Sequence, residues 1–213
     1  MKNNYDVVIG LDPGVTGGIS IVYKNGKVNV HRIPVNAIVV NGKNKKNYDL
    51  ESIVDLLEPF RGQKVLFVQE RVSSMPGEGS VSAFSFGRSS GATVGIAKAL
   101  KFDVVEVGSA KWKKHFTALI NDDIRNMKSE AKDLRALAKT LKDKDAKKEN
   151  NKQIDKLNRQ VKSTAKTMAR ELVMSLHPEI ADDFKQKNSD GMAESLLIAL
   201  FGRDKQNELV QDS

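Results

Sequence analysis

The sequence contains no cysteine and only three histidines, His31, His115 and His177, too scattered to make a metal-ligand spacing. Without thiols there is no disulfide framework and no thiolate zinc site, and the chain fits a reducing compartment. Long apolar runs are missing too: none approaches the ~20 residues of a membrane span. The N-terminus, acidic by Asp6, does not read as a signal or transit peptide. A soluble, intracellular protein is expected.

What the chain has in excess is positive charge. Thirty-five Lys and Arg stand against twenty-seven Asp and Glu, a net +8 over 213 residues. That balance favours a polyanionic partner, nucleic acid first among them. The length suits one sizeable core, or a core of about 150 residues with an excursion.

Apolar and turn signals divide the first third. Tyr5 to Leu11, Gly17 to Val22 and Val28 to Pro34 read as three strands joined at Pro13-Gly14 and Asn25-Gly26, an antiparallel meander. Asp49 is placed to cap a helix with Leu50, Ile53, Val54 and Leu57 on one face, ended by Pro59. Lys64 to Gln69 reads as a fourth, buried strand and Val104 to Val107 as a fifth. Between them a Gly/Pro/Ser-rich loop, "RVSSMPGEGS", leads into a helix over 81–100 in which Gly87, Gly91 and Gly95 form a smooth stripe. That stripe serves either tight packing on the sheet or a helix-to-helix dimer contact. Ser109 is placed to cap the segment "SAKWKKHF". The order is that of a mixed α/β fold.

From 121 the composition changes. Ile124, Met127, Ala131, Leu134, Ala138 and Leu141 step 3-4-3-4-3, and after the polar break "DKDAKKENNK", Ile154, Leu157, Val161, Ala165 and Met168 step 3-4-4-3. These spacings predict a helical hairpin. Residues 122–162 hold thirteen Lys/Arg and eight Asp/Glu, so this arm carries +5 of the total. It is either a solvated charged pair of helices, a tracker of phosphate backbone, or a prop for a dimer. The expected division is a core of 1–120 and 163–204, the inserted basic hairpin 121–162, and a flexible tail 205–213.

Four acids stand at the edges of buried elements: Asp12 in the first strand, Glu70 at the end of "VLFVQ", and Asp190 and Glu194 four apart at the head of the final apolar helix. A carboxylate in an apolar strand costs several kcal/mol unless a cation or hydrogen bonds compensate it. Lysine, arginine or a metal would serve Asp12. Several such acids together repel, and a multivalent cation among them removes that repulsion. Oxygen ligands without Cys or clustered His favour Mg²⁺ or Mn²⁺, and two such ions suit an in-line phosphoryl displacement.

The block "GLDPGVTGGISIV", the acid ending "VLFVQE", the helix "SAFSFGRSSGATVGI", "SAKWKKHF" and the terminal "SDGMAESLLIALFG" together resemble the RuvC-like Holliday junction resolvases, in the phage and organellar branch more than the standard bacterial enzyme. The resemblance spans roughly 5–116 and 163–202. It implies a ribonuclease H-like fold, a mixed five-stranded sheet flanked by helices, with the charged hairpin inserted. It also implies a homodimeric, Mg²⁺-dependent endonuclease that nicks four-way DNA junctions symmetrically, in the cytoplasm of a bacterium or phage-infected host, or in an organelle. Asp12, Glu70, Asp190 and Glu194 fall on the family's metal-binding acids, with Asp12 bridging two ions, Glu70 and Glu194 each ligating one, and Asp190 completing the set. Manganese is expected to substitute.

In the common bacterial form the last two acids are both Asp and three apart; here an Asp and a Glu stand four apart, on one helical face. The family's lysine best matches Lys166, as a partner for the scissile phosphate. Bacterial relatives carry an aromatic wedge three residues after the strand acid, where this chain has Ser73. Met75, or Phe84 and Phe86 if they are not core, is the replacement. Arg71 and Arg88 are expected on the DNA backbone, as are Lys111, Lys113 and Lys114, which surround the only Trp, Trp112, itself either a stacking platform or packing. The first block also resembles the phosphate loop of actin-like ATPases and sugar kinases, but the chain lacks their second loop. A fork or flap nuclease of the same fold, or a non-catalytic DNA scaffold, are the alternatives.

Overall fold

A computed structural model describes residues 4–40, 42–73, 79–119 and 121–211. Three antiparallel strands, β1 (Val7–Asp12), β2 (Gly18–Tyr23) and β3 (Val28–Arg32), form the expected meander. A hairpin follows that the sequence pattern did not signal, β4 (Val35–Val40) and β5 (Lys43–Tyr48), which among the described residues pair only with each other. Helix α1 (Leu50–Leu57) is capped by the Asp49 side chain on the Ser52 N–H, as its sequence implied. Strand β6 (Val65–Glu70) pairs in parallel with β1, and β7 (Asp103–Val107) with β6, giving the order β3-β2-β1-β6-β7. This is the mixed, helix-flanked α/β architecture expected of a ribonuclease H-like chain.

The helices are α2 (Ser80–Ala99), α3 (Ser109–His115), α4 (Asp122–Thr140), α5 (Lys144–Leu176) and α6 (Asp190–Gln211). Gly108, not Ser109, precedes α3 as its cap residue. No helix among the described residues is long and apolar enough to cross a membrane.

Pleating sorts the sheet into two cores. Val7, Ile9 and Leu11 of β1, with Val65 and Phe67 of β6, pack among Ile53 and Leu57 of α1, Ala97 of α2 and Leu100 just after it. Val8, Leu66 and Val68 face the opposite way, among Leu196, Leu197, Ala199 and Leu200 of α6 and Val173 of α5. Asp12 and Glu70 continue this second set, so alternation alone aims both acids toward the α6 side of the sheet. On the other face Gln69, fully buried, accepts from Thr93 Oγ1 at 2.6 Å and donates to Ser90 Oγ at 2.6 Å, fixing the end of β6 against α2.

Helix α6 reaches its position because glycine lets it. A Cβ on Gly10 would strike the backbone of Ser195 and Ala199, and one on Gly191 would strike Thr16 and Gly17. The helix therefore lies directly on β1 and β2, and its first turn meets the Pro13–Gly17 turn through a Gly17–Gly191 bridge. The helix also runs on to Gln211, into the segment assigned to a tail, because Leu209 and Gln206 are buried and Gln206 accepts from the Asn4 N–H at 2.9 Å.

Two further differences bear on function. Helix α5 is continuous for 33 residues, because no Gly or Pro interrupts 144–176, so the arm shares a helix with the core rather than ending at 162. Gly87, Gly91 and Gly95 do not pack on the sheet: among the described residues, a Cβ on any of them would meet nothing within 4 Å. Phe84 in the same helix is 74% exposed and not core.

Candidate active site

Parallel pairing of Leu11 with Gln69 puts Asp12 and Glu70 side by side at the strand ends. Helix α6 then brings Asp190 and Glu194, one turn apart, to the same edge. Asp12, Asp190 and Glu194 line one cavity of about 400 Å³, with Lys166 of α5, Arg32 of β3 and Lys46 of β5 on its walls. Glu70 lies against Trp112 of α3, whose Nε1 donates to its Oε2 at 2.7 Å.

Burial pushes the Asp12 carboxyl well above its ordinary value, and the charges of Glu194 and Glu70 push it further against the pull of Lys113 and Lys166. Glu70 is raised as well, by burial first, while the Trp112 hydrogen bond and Lys113 hold it down. Two of the acids are matched by cations. Lys113 Nζ sits 3.0 Å from Glu194 Oε1. Lys166 Nζ sits 3.0 Å from Asp190 Oδ2, and Arg170 Nε lies 3.2 Å from Asp190 Oδ1. That last contact is an ion pair without hydrogen-bond geometry, and both atoms are buried without a hydrogen-bond partner among the described residues.

Among the described residues no three carboxylates or imidazoles already stand as a metal-ligating group. The chemistry of the donor set nonetheless suits a hard divalent cation: it offers four carboxylate side chains, and burial together with the charges of Glu194 and Glu70 raises Asp12. Asp12, Glu70, Asp190 and Glu194 are the residues that could hold it.

The other expected contacts divide. Lys113 joins the acids and lies over the Trp112 ring, 4.8 Å from its centroid. Arg88 is exposed and lines a cleft between α2 and the β4–β5 hairpin. Arg71 Nη2 donates to the Glu106 carbonyl at 3.1 Å, beside the edge strand. Lys111 and Lys114 are exposed on α3. Met75 lies outside the described residues. Trp112 is 0% exposed, which excludes it as a stacking platform.

Sequence reasoning missed Trp112 as the partner of Glu70, and Arg170, Arg32 and Lys46 at the acids. Arg170 carried a signal, since it stands four residues after Lys166 on the same helical face. Lys46 carried none, because its strand was unrecognised. Tyr48 was also missed. Its hydroxyl oxygen accepts from the Gly14 N–H at 2.6 Å, holding the turn after Asp12 where Gly14 has a φ of +131°.

No family model matches this sequence, and no curated protein matches it. Among solved structures, the chain is similar to a T. thermophilus RuvC in complex with a Holliday junction substrate, at TM-score 0.46 and 15% identity over 95% of this chain and 96% of that one. A second Thermus thermophilus RuvC structure is similar at TM-score 0.30 and 17% identity, over 51% of this chain and 67% of that one. Likeness at this level carries no argument about activity, which rests on the carboxylates and the cations around them.

Proposed function

We propose that this protein is a divalent-metal-dependent endonuclease that resolves four-way DNA junctions by symmetric nicking. The observation that supports the reading most is Asp12: a carboxylate at the end of a buried strand, raised by its own burial and by Glu194 and Glu70. A scaffold has no use for that cost. Magnesium or manganese bound by Asp12, Glu70, Asp190 and Glu194 would supply an acidified water and charge compensation for in-line phosphodiester hydrolysis.

The chain's own residues do the rest. Trp112 fixes one oxygen of Glu70, so that acid meets the site in a single orientation. Asp190, held between Lys166 and Arg170, would complete the ligand set and orient the attacking water. Lys166 stands at the cavity wall as the cation for the scissile phosphate and its developing charge. Arg32 donates from Nη1 to the Asn188 carbonyl at 2.7 Å and from Nη2 to the Asn188 Oδ1 at 2.9 Å, and so holds the approach to α6.

Symmetric nicking needs two sites, and the open glycine stripe of α2, with Val81 at 72% and Phe84 at 74% exposure beside it, is the surface assigned to a second copy. Phe84, near the N-terminal end of α2 and at the edge of that surface, would take the place of the missing wedge.

A non-cutting DNA scaffold is the second reading, favoured by the lysines already seated on Glu194 and Asp190. The deciding experiment incubates the protein with a four-way junction, a fork and a linear duplex, in Mg²⁺ or EDTA. Paired nicks on the junction alone, lost in EDTA, support a resolvase. Cutting of all three supports a general branched-DNA nuclease, and binding without cutting in Mg²⁺ or Mn²⁺ supports the scaffold.

A further inference from the structure

Two elements stand outside the five-stranded core, the β4–β5 hairpin and the α4–α5 hairpin, and the cavities of the molecule connect them. The acid cavity shares Val15, Thr16 and Lys46 with a cleft of about 690 Å³ beneath the β4–β5 hairpin and α2. On its other flank it shares Lys166 and Glu194 with a cleft of about 670 Å³ between α3 and the α4–α5 stem. The two outer clefts share no residue with each other, so the acids lie between them.

Each outer cleft is cationic for its own reason. Residues 35–48 contain Lys43, Lys45 and Lys46 and no acidic residue, and Lys45 and Lys46 line the cleft together with Arg88. The arm contributes Lys128 from α4 and Lys162 from α5, which line the second cleft together with Lys113. Neither Lys128 nor Lys162 has an ion-pair or hydrogen-bond partner among the described residues. Much of the lining between the charges is apolar: Ile38, Val81 and Phe86 on one side, Leu119, Ile124, Val161 and Met168 on the other. Cations at the rim over apolar walls match a strand whose phosphates face outward and whose sugars and bases face in.

We infer that one DNA strand runs through all three cavities, with the acids at the middle of its path and the two hairpins as the walls of its ends. The ligand class rests on the nuclease reading above; the path rests on the cavities and lysines. The arm is then a clamp on the substrate strand, and the β4–β5 hairpin, tied to the turn after Asp12 through Tyr48 and Gly14, sets where that strand enters.

The test measures binding of a dye-labelled four-way junction and a labelled single strand by fluorescence anisotropy, in EDTA, across a salt series. Lys128→Glu/Lys162→Glu reverses the arm end, Lys45→Glu/Arg88→Glu reverses the hairpin end, and Lys147→Glu/Lys148→Glu makes the same charge change on an exposed stretch of α5 outside all three cavities. Each channel pair is expected to weaken binding at least about tenfold and to flatten the salt slope by roughly 1.5, the loss of two phosphate contacts. The outer pair is expected to change the slope less than half as much. Equal effects from the outer pair, or no effect from either channel pair, overturn the channel. Because no metal is present, binding is read apart from cutting. A protein that loses affinity in both channel pairs yet never cuts in Mg²⁺ keeps the channel and loses the nuclease reading, whereas cutting with affinity unmoved in every variant overturns the channel alone.

Discussion

Trp112 Nε1 donates a 2.7 Å hydrogen bond to Glu70 Oε2 from a fully buried indole. A charge-assisted bond of this kind contributes about 1.5–3 kcal/mol, and it also leaves Glu70 one orientation. Trp112→Phe keeps most of the packing and removes the donor. Cutting is expected to fall roughly 10–100-fold, the usual effect of losing a partner behind a metal ligand, with junction binding in EDTA unchanged. The bond lowers the Glu70 carboxyl, so its loss lets that pKa rise, and the acid limb of the rate profile should move to higher pH. An unmoved limb would leave Trp112 as packing only.

Asp12→Asn should separate stability from activity. The folded-state pKa of Asp12 is raised above the unfolded value, about 3.9. A raised carboxyl favours folding relative to its ionised form only while protonated. That contribution is complete below the unfolded pKa and is lost as pH rises through the folded one. At neutral pH, ionised Asp12 is therefore a cost to the metal-free protein. The Asn variant is expected to melt higher than wild type at pH 7 in EDTA, to show no such gain below pH 4, to bind junctions normally and to cut nothing. Added Mg²⁺ should raise the wild-type melting temperature and leave the variant's unchanged. A variant less stable than wild type at pH 7 would mean that Asp12 is already compensated by Lys113 and Lys166.

Both acids of the sheet were legible from sequence for one reason: each ends an apolar run whose alternation fixes the face it points to. Asp190 and Glu194 were legible as a pair because four residues make one helical turn. The strand β5, "KNKKNY", was not legible, since it has no apolar alternation and pairs with a single neighbour in a sheet without a core of its own. Trp112 looked like a choice between stacking and packing, because a hydrogen bond to a residue 42 positions away leaves no trace in local spacing. The glycine stripe of α2 was visible, but whether it met the sheet or solvent depended on how far that helix stands off.

Two tyrosines predict an alkaline transition. Burial, with Asp103 beside it, pushes Tyr5 to about 12, and burial, with Asp12 nearby, pushes Tyr48 to about 12. Raised phenols favour the fold fully below the unfolded value of about 10 and lose that contribution as pH climbs through the folded value. Melting temperature should therefore fall between pH 10 and 12. Tyr48→Phe should blunt that fall, and at pH 7 it should cost about 1 kcal/mol by leaving the Gly14 N–H without its acceptor. A pH-melting series on both proteins checks it; identical alkaline slopes would contradict the assignment.

Gly91→Leu tests whether α2 is an interface between copies. A Cβ there meets nothing within 4 Å among the described residues, and replacing an exposed helical glycine gains up to about 1 kcal/mol of helix propensity. The monomer should thus fold at least as well as wild type. A leucine raised from the floor of the stripe would, however, hold two α2 helices apart. Sedimentation velocity is expected to show a wild-type dimer and a Gly91→Leu monomer of equal or higher melting temperature, with nicking of the two junction strands uncoupled or lost. A variant that stays dimeric would move the interface off this helix, and its exposed Phe84 would then be left to the DNA alone.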